Sequence, residues 1–184
     1  AYDYGADAVY AGSPRYSLRA RNNEFAKLDV LEQGIKEAHE RNKKFFLTVN
    51  TLPHNSKLKT FVADMEPLIA MKPDALIMAD PGLIMTVREK WPEMPIHLSV
   101  QANTTNYWGV KFWQNIGVER IILSRELSME EIAEIRQECP DIELEVFIHG
   151  ALCIAYSGRC LLSGYFNHRD PNQGTCTNSC RWDY

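Results

Sequence analysis

The chain has 184 residues, of which 45% are apolar and 24% are charged, and its formal net charge is -4. This is the composition of an ordinary globular protein that is long enough for one domain with a sizeable core. The net charge argues against nucleic-acid binding over the whole surface but is compatible with a local basic face. No apolar run reaches the roughly 18 residues of a membrane span, so no membrane partner is expected.

The chain begins at Ala1 with the letters AYDYG, without an initiator methionine. Such a start is typical of a helix end that is closed by a C-cap glycine, so we expect a piece of a longer protein. No signal-peptide pattern is present. No cysteine occurs before Cys139, which is unlike a secreted domain stabilised by disulfides and favours a cytoplasmic location.

Six short apolar runs have the length and composition of buried strands in a parallel sheet. They cover residues 5–12, 43–50, 74–80, 96–100, 120–124 and 144–149. Amphipathic helical patterns lie between them, at residues 28–42, about 58–71, from 81 onward, 107–117 and 129–139. Asp80 before Pro81 predicts the N-cap of the third of these helices. Ser128 and Glu131 form a capping box before the last one.

Strands and helices alternate at intervals of roughly twenty-five residues, which is typical of βαβ units with a parallel sheet. A doubly wound sheet and a (β/α)8 TIM barrel both fit this alternation. The regular spacing and the absence of a G-x-G-x-x-G turn favour the barrel. A complete barrel needs about 250 residues. We therefore predict an incomplete barrel in residues 1–149, which lacks one strand before Ala1 and at least one after Tyr184. A cysteine-rich module in residues 150–184 would follow at the barrel mouth.

Polar side chains stand at the carboxyl ends of the predicted strands, where barrel enzymes have their active sites. They are Tyr10, Asn50, Asp80, Gln101, Asn103, Ser124, Arg125, Glu126 and His149. Of these we take Gln101, Arg125 and His149 as catalytic candidates, and Asn50 and Asn103 as substrate-binding candidates. Capping of the following helices is the alternative role for such residues.

Further candidates are cations and a tyrosine in the predicted loops. Arg15, Arg19 and Arg21 follow the first strand, and Tyr156, Arg159 and Arg169 lie in the cysteine-rich module. Arginines there could anchor RNA phosphates or a small carboxylate. An exposed tyrosine could stack on an unpaired base. Solvated surface charges and ordinary aromatic packing are the alternative.

Four of the five cysteines, Cys153, Cys160, Cys176 and Cys180, lie in this module with the spacing C-x6-C-x15-C-x3-C. Four thiolates can hold Zn²⁺ tetrahedrally or a 4Fe-4S cluster. Structural zinc usually has closer pairs of ligands and the long gaps suit a larger cluster, but spacing alone leaves both open. Cys139 stands apart at a helix end, where a spare, semi-buried thiol is the simplest interpretation.

The residues around these cysteines match a dense pattern, E-x-F-x-x-G-A-L-C-x4-G-x-C-x-L-S. It is carried by Glu145, Phe147, Gly150, Ala151, Leu152, Cys153, Gly158, Cys160 and Ser163. This pattern resembles the signature of the collagenase-like peptidase family U32. Residues 5–12, 13–25, 97–106 and 167–184 are similar to the branch of that family that acts in tRNA hydroxylation. The resemblance therefore covers the chain from end to end.

This resemblance implies a barrel core and an oxygen-labile 4Fe-4S cluster held by Cys153, Cys160 and Cys176. The fourth ligand would be either Cys180, which follows closely here, or a residue beyond Tyr184, as in a related ubiquinone-hydroxylating branch. The resemblance also implies formation of 5-hydroxyuridine at the wobble position of tRNA. The implied partners are tRNA, a small carboxylate such as prephenate, and a partner protein. Further chain on both sides is implied as well.

Two other functions compete with this one. A peptidase, the hydrolase activity in the family name, needs a nucleophile with a base or a hydrolytic metal. The motifs H-E-x-x-H and G-x-S-x-G are absent, although His149 near a cysteine could form a Cys–His pair. The third function is a structural zinc module that binds proteins. The metal content and colour of the purified protein distinguish the three.

Overall fold

The computed structural model of the chain describes residues 1–20 and 23–183. Six strands form one sheet, and each strand pairs in parallel with the next along the chain. They are β1 (Ala8–Gly12), β2 (Lys44–Val49), β3 (Ala75–Met78), β4 (Ile96–Leu98), β5 (Arg120–Ile122) and β6 (Glu143–Glu145). A doubly wound sheet reverses its strand order at a switch point, whereas this order is sequential. The doubly wound alternative is therefore wrong, and the sheet is a curled half-barrel.

Helices follow the strands along the chain. They are α1 (Leu28–Glu40), α2 (Asn55–Leu58), α3 (Phe61–Ala70), α4 (Pro81–Lys90), α5 (Tyr107–Asn115), α6 (Met129–Glu138) and α7 (Leu162–Asn167). The helix predicted at residues 58–71 is α3, which begins three residues later than predicted, and the short helix α2 before it was not predicted. Within the described part of the chain, no helix is long and apolar enough to cross a membrane.

The main core lies between the sheet and the helices. Alternate residues of a strand point to opposite faces of a sheet, and Phe45 and Leu47 of β2 pack in the same cluster as Leu31 of α1. The residue between them, Phe46, belongs instead to a smaller cluster with Ile77 of β3. Burial of each such side chain stabilises the fold by about 1.5–3 kcal/mol. The sheet is therefore packed on its helical face and carries a second apolar layer on its inner face.

Capping signals in the sequence begin two helices as predicted. The Asp80 carboxylate accepts a hydrogen bond from the backbone N–H of Leu83 at 2.9 Å, with Pro81 at the first helical position of α4. Ser128 and Glu131 form the reciprocal capping box of α6. These side chains satisfy N–H groups that have no partner within the first helical turn. Asp80 therefore caps α4. This is the alternative role expected for polar residues at the strand ends, in place of a role in an active site.

The last strand is shorter than the sequence pattern predicts. The predicted strand covers residues 144–149, but β6 ends at Glu145 because the strand it pairs with, β5, ends at Ile122. Residues 146–149 are exposed. The prediction that His149 stands at the end of a strand is therefore wrong.

A cavity of about 460 Å³ opens at the amino ends of the strands, and Lys44, Phe46, His97 and Arg120 are among the residues that line it. His97 is 5% exposed, and its ring lies edge-on to Phe46 with the ring centres 4.7 Å apart. Its Nδ1 atom is buried without a hydrogen-bond partner among the described residues. Burial first, and then the positive charge of Arg120, lower the pKa of His97 to about 4. The imidazole is therefore neutral at neutral pH.

We expect the full-length protein to lose stability as the pH falls from 6.5, the ordinary pKa of histidine, to about 4. In that window the unfolded chain binds a proton at His97 that the folded chain does not bind, so acid favours unfolding. The pKa shift corresponds to about 3 kcal/mol in the free energy of unfolding. Urea unfolding curves at neutral pH and near pH 4 measure it.

The variant His97→Gln should lack this part of the pH dependence. The control His54→Gln, which removes an exposed imidazole, should follow the wild-type curve. Identical pH dependence in wild type and His97→Gln would contradict the assignment.

Candidate active site

The cysteine module, residues 150–184, is held against the loops that follow the strands. Arg125, just after β5, donates a hydrogen bond from Nη2 to the Ser157 hydroxyl at 2.8 Å. On the other side of the module, the Gln173 side-chain amide donates to the backbone oxygen of Leu52, which follows β2. The segment around Ser157 and the segment around Gln173 therefore both contact loops at the carboxyl edge of the sheet.

Two glycines of the module lie too close to these loops to carry a side chain. A Cβ atom on Gly158 would lie 2.4 Å from the backbone oxygen of Gln101, and one on Gly174 would lie 2.8 Å from that of Ser17. Their φ angles, +74° and +89°, are in the left-handed region that favours glycine. Together with the hydrogen bonds, these contacts place the module over the carboxyl ends of β1, β2, β4 and β5.

Within the module, a polar network joins α7 to the stretch around Thr177 and Ser179. The Thr177 hydroxyl lies 3.1 Å from the Ser163 hydroxyl and 2.9 Å from Asn167 Oδ1. Ser179 also donates to Asn167 Oδ1, at 3.0 Å. Because Ser163 and Asn167 belong to α7, the network ties this helix to the stretch that carries the last two cysteines.

The four predicted metal ligands form no disulfide among the described residues. Cys153, Cys176 and Cys180 are exposed, and Cys160 is half-buried. The backbone N–H of Asn178 donates to Cys176 Sγ at 3.4 Å, and hydrogen bonds of this kind orient and tune ligating sulfurs. Among the described residues, no three His, Cys, Asp or Glu side chains gather closely enough to hold a metal ion. The donors fit a thiolate-bound cluster in their chemistry, and the ligand set stays a prediction.

Cys139 has a different environment. It is 2% exposed, and its thiol donates to the backbone oxygen of Tyr107 at 3.7 Å. Burial raises the pKa of the Cys139 thiol, which disfavours the thiolate that a metal would need. Cys139 is therefore a core thiol that packs at the end of α6.

The three predicted catalytic residues have unlike surroundings. Gln101 lies in a 3-10 turn after β4, with its backbone oxygen against the module. Arg125 is bound to Ser157, and its guanidinium lies 5.6 Å from the ring centre of Phe147. His149 is exposed beyond the end of β6. Gln101 and Arg125 thus hold the module in place, and a catalytic role for any of the three stays a prediction.

Two of the predicted binding residues make internal contacts. The Asn50 side chain accepts from the backbone N–H of Leu18 at 3.2 Å and donates to the Ser99 hydroxyl at 3.4 Å. Arg15 forms an ion pair with Asp64 at 2.7 Å. These contacts fix the loops after β1 and β2, which is a structural role.

Three other predicted binding residues are arginines. Arg19 and Arg169 have exposed side chains. The backbone N–H of Arg169 donates to the oxygen of Ser163 at 3.1 Å, which places it at the end of α7. Arg21 lies outside the described residues. Binding of phosphate or carboxylate by these arginines stays a prediction.

The remaining predicted binding residues meet in one cavity. Asn103, Tyr156 and Arg159 line a cavity of about 520 Å³ between the module and the loops after β4 and β5. The other residues that line it are Thr105, Glu126, Leu127 and Glu131. Nothing in the residue types of Thr105 and Leu127 marks them as functional. Their position shortly after predicted strand ends is the one signal that could have indicated them.

Comparison with known proteins identifies a family and several relatives that are similar to this chain. The family model described as Peptidase family U32 matches residues 1–184. The chain is 69% identical to tRNA hydroxylation protein P of Escherichia coli (strain K12) over 184 residues, which are 100% of this chain and 40% of that protein. It is 36% identical to the 23S rRNA 5-hydroxycytidine synthase of the same organism over 181 residues, covering 98% of this chain and 27% of that protein. The chain therefore spans less than half the length of these relatives.

A solved structure supports the fold. The U32 peptidase Mk0906 superposes with a TM-score of 0.63 at 16% identity, covering 77% of this chain and 60% of that chain. At this level of identity the likeness concerns the fold alone.

Replacing Gly158 by alanine is expected to displace the module. The new Cβ atom would lie 2.4 Å from the backbone oxygen of Gln101, so one of the two backbones must move. Gly150→Ala is the matched control, because Gly150 also has a positive φ angle, +127°, but nothing within 4 Å of its Cβ position. Limited proteolysis of the full-length protein measures how often the module opens.

The Gly158→Ala protein should be cut within the module several times faster than the Gly150→Ala protein. Equal cleavage rates for the two variants would show that the module is not docked on the turn after β4.

Proposed function

The chain belongs to peptidase family U32, and on this premise we propose that the full-length protein hydroxylates carbon 5 of the wobble uridine in tRNA. It would use a 4Fe-4S cluster on the cysteine module and require a small carboxylate, prephenate. The activity is proposed for the whole protein, since this chain spans 40% of the length of the similar tRNA hydroxylation protein.

The docking of the cysteine module supports this function most directly. Barrel enzymes have their active sites at the carboxyl ends of the strands, and the module covers four of those ends. The loop between Cys153 and Cys160 contacts Gln101 and Arg125 there. A group bound to these cysteines would therefore lie close to the strand-end side chains and to the cavity of about 520 Å³.

The relatives support RNA as the substrate class. One is named for hydroxylation of tRNA and the other for synthesis of 5-hydroxycytidine in 23S rRNA. The identity is 69% to the first and 36% to the second, which favours tRNA. Both names refer to hydroxylation of RNA, so the features that this chain shares with both relatives would act in the hydroxylation of RNA.

The cysteines would hold the cluster from three points of the module. Cys153, Cys160 and Cys176 would be ligands, with either Cys180 or a residue beyond this chain as the fourth. The cluster, when bound, would supply electrons or a binding position for a substrate oxygen. The N–H group of Asn178, 3.4 Å from the sulfur of Cys176, would stabilise that sulfur as a thiolate.

Arginines at the same face would bind the anionic parts of the substrates. Arg159 lines the cavity, and Arg19 and Arg169 are exposed. Each carries a planar fork of N–H groups that matches a phosphate or a carboxylate such as that of prephenate. Arg15 is less suited to this role, because Asp64 already pairs with it at 2.7 Å.

Cysteine variants test the cluster. We expect the full-length protein, purified without oxygen, to be brown and to contain roughly four irons and four sulfides per chain. Cys153→Ala should lose most of the iron, because a ligand is missing. The matched control Cys139→Ala should keep it, because that thiol is buried at a helix end. Iron analysis of Cys180→Ala distinguishes the two candidates for the fourth ligand.

The same variants test the reaction. In a strain that lacks the gene, wild type and Cys139→Ala should restore 5-hydroxyuridine in tRNA, as measured by mass spectrometry of nucleosides, and Cys153→Ala should not. A colourless protein that contains zinc would contradict the redox function. Cleavage of peptides by a metal-free protein, inhibited by thiol reagents, would indicate the peptidase.

A further inference from the structure

We propose that one surface of the cysteine module binds the unpaired nucleotides of an RNA loop. Three exposed rings form the aromatic platform of this surface, those of Tyr165, Phe166 and Trp182. The side chains of Arg169 and Arg181 supply its positive charge. This proposal deepens the proposed function and rests on it, because it names the surface that would hold the RNA substrate.

The three rings of the aromatic platform contact one another. The ring centres of Tyr165 and Phe166 are 5.0 Å apart, and those of Phe166 and Trp182 are 6.4 Å apart. Tyr165 is nevertheless 80% exposed and Trp182 is 45% exposed. Each ring is therefore held by its neighbour while part of its surface stays accessible to a ligand. Because the rings are already ordered, a base that stacks on them costs little side-chain entropy.

The two segments that carry the rings are fixed to each other from the interior of the module. Two of the rings belong to α7, and the third, Trp182, follows a 3-10 turn, Ser179–Arg181. The hydroxyl of Ser179, which is 1% exposed, donates to Asn167 Oδ1 of α7 at 3.0 Å. The aromatic platform thus has a defined geometry although its side chains lie at the surface.

The arginines of the described chain divide into two groups according to their contacts. Six guanidinium groups donate hydrogen bonds to other residues, those of Arg15, Arg41, Arg88, Arg120, Arg125 and Arg136. Four guanidinium groups are exposed and pair with no other described residue, those of Arg19, Arg159, Arg169 and Arg181. Three of these four lie in the module, and Arg19 lies in the loop against which Gly174 packs. The arginines that are available to an anionic ligand are therefore concentrated at the carboxyl face.

The acidic side chains of the module leave this positive charge largely in place. Residues 150–184 contain three arginines and no lysine, and their two acidic residues are Asp170 and Asp183. The module therefore has a net charge of +1, although the chain as a whole carries -4. The Asp170 carboxylate accepts a hydrogen bond from the backbone N–H of Asn172 at 2.8 Å. A positive surface on an acidic protein favours a polyanion as the ligand.

Unpaired RNA matches both parts of this surface. Its bases can leave the stack and lie on aromatic side chains, whatever their identity. Its phosphates match the planar fork of N–H groups that an arginine presents. In a duplex the bases are stacked on one another and cannot reach the rings. The surface is therefore expected to distinguish unpaired from paired RNA and to be tolerant of sequence.

The aromatic platform lies beside three of the four predicted cluster ligands. Cys160 comes two positions before α7, and Cys180 belongs to the turn that precedes Trp182. The Ser163 hydroxyl of α7 donates to Cys176 Sγ at 4.0 Å. RNA that is held by the rings would therefore lie next to a group bound to these cysteines.

Binding of labelled RNA to the full-length protein, purified without oxygen, tests the surface. One probe is a hairpin with a loop of about eight unpaired nucleotides, and the other is a blunt duplex with the same stem. Wild type should bind the hairpin about tenfold more tightly than the duplex. Tyr165→Leu and Trp182→Leu should each weaken binding of the hairpin about tenfold and leave binding of the duplex unchanged. Tyr165→Phe keeps the ring and should bind as wild type does.

The arginines are tested through the salt dependence of hairpin binding. Each phosphate contact in a single strand contributes about -0.7 to the slope of log binding constant against log salt concentration. Arg169→Gln and Arg181→Gln should each make the slope shallower by about 0.7. Tyr165→Leu should lower the affinity and leave the slope unchanged. Lys90→Gln removes an exposed charge at the end of α4 and should keep the wild-type slope.

Aromatic residues elsewhere on the surface provide matched controls. Tyr4→Leu and Trp108→Leu change residues that are 97% and 70% exposed outside the module, and both should bind the two probes as wild type does. The leucine variants of the aromatic platform should keep the wild-type melting temperature, because their rings are exposed. A lower melting temperature with unchanged hairpin binding would show that another part of the protein covers the rings, and would overturn the proposal.

The RNA surface and the proposed function can fail separately. Equal affinity of wild type for hairpin and duplex overturns the surface, as does hairpin binding by Tyr165→Leu and Trp182→Leu that equals that of their controls. If wild type nevertheless restores 5-hydroxyuridine in the tRNA of the deletion strain, the proposed function stands without the surface. If the variants show the predicted losses but wild type never restores that nucleoside, the surface stands and the proposed function is overturned.

Discussion

A contact between two backbones, Gly158 in the cysteine module and the backbone oxygen of Gln101, is the constraint on which the rest of this structure depends. A Cβ atom at that point would lie 2.4 Å from the oxygen, so the close approach exists only because the residue is glycine. It fixes the loop between the first two module cysteines at the end of β4. The hydrogen bond from Arg125 Nη2 to the Ser157 hydroxyl, at 2.8 Å, fixes the same loop at the end of β5. A reaction at a group bound to Cys153 and Cys160 would therefore take place at the carboxyl ends of the strands.

The sheet provides that face because all of its strands run in one direction and follow each other in sequence order. Hydrogen bonds from buried hydroxyl groups fix the loops at the carboxyl ends of the strands. Thr48 and Ser17 are 2.9 Å apart, and Ser99 accepts from Asn50 at 3.4 Å. The opposite edge of the sheet is different, since its buried polar side chain, His97, is held neutral by its surroundings. The carboxyl edge therefore differs from the amino edge because the cysteine module is docked on it, and this is the edge at which barrel enzymes have their active sites.

Sequence patterns predicted the parts of this structure that depend on neighbouring residues. The caps at Asp80 and Ser128 involve contacts within four positions, and each of the six strands is indicated by a short run of apolar residues, so these signals are local. The docking of the module involves contacts between distant residues, such as Gln173 with Leu52, which are 121 positions apart. No local pattern encodes such a pair. For the same reason the sequence could not show that Arg15 forms an ion pair with Asp64, which is 49 positions away. It also could not show that Asn103, Tyr156 and Arg159 line the same cavity.

The most direct test concerns the claim that the cysteine module carries an iron–sulfur cluster at the carboxyl face of the sheet. The measurement is an anomalous-difference map at the iron absorption edge, from crystals of the full-length protein grown without oxygen. We predict one strong peak, bonded to the sulfurs of Cys153, Cys160 and Cys176, on the side of the sheet where Gly158 meets Gln101. A peak at the zinc edge alone, or iron bound away from these cysteines, would contradict the claim.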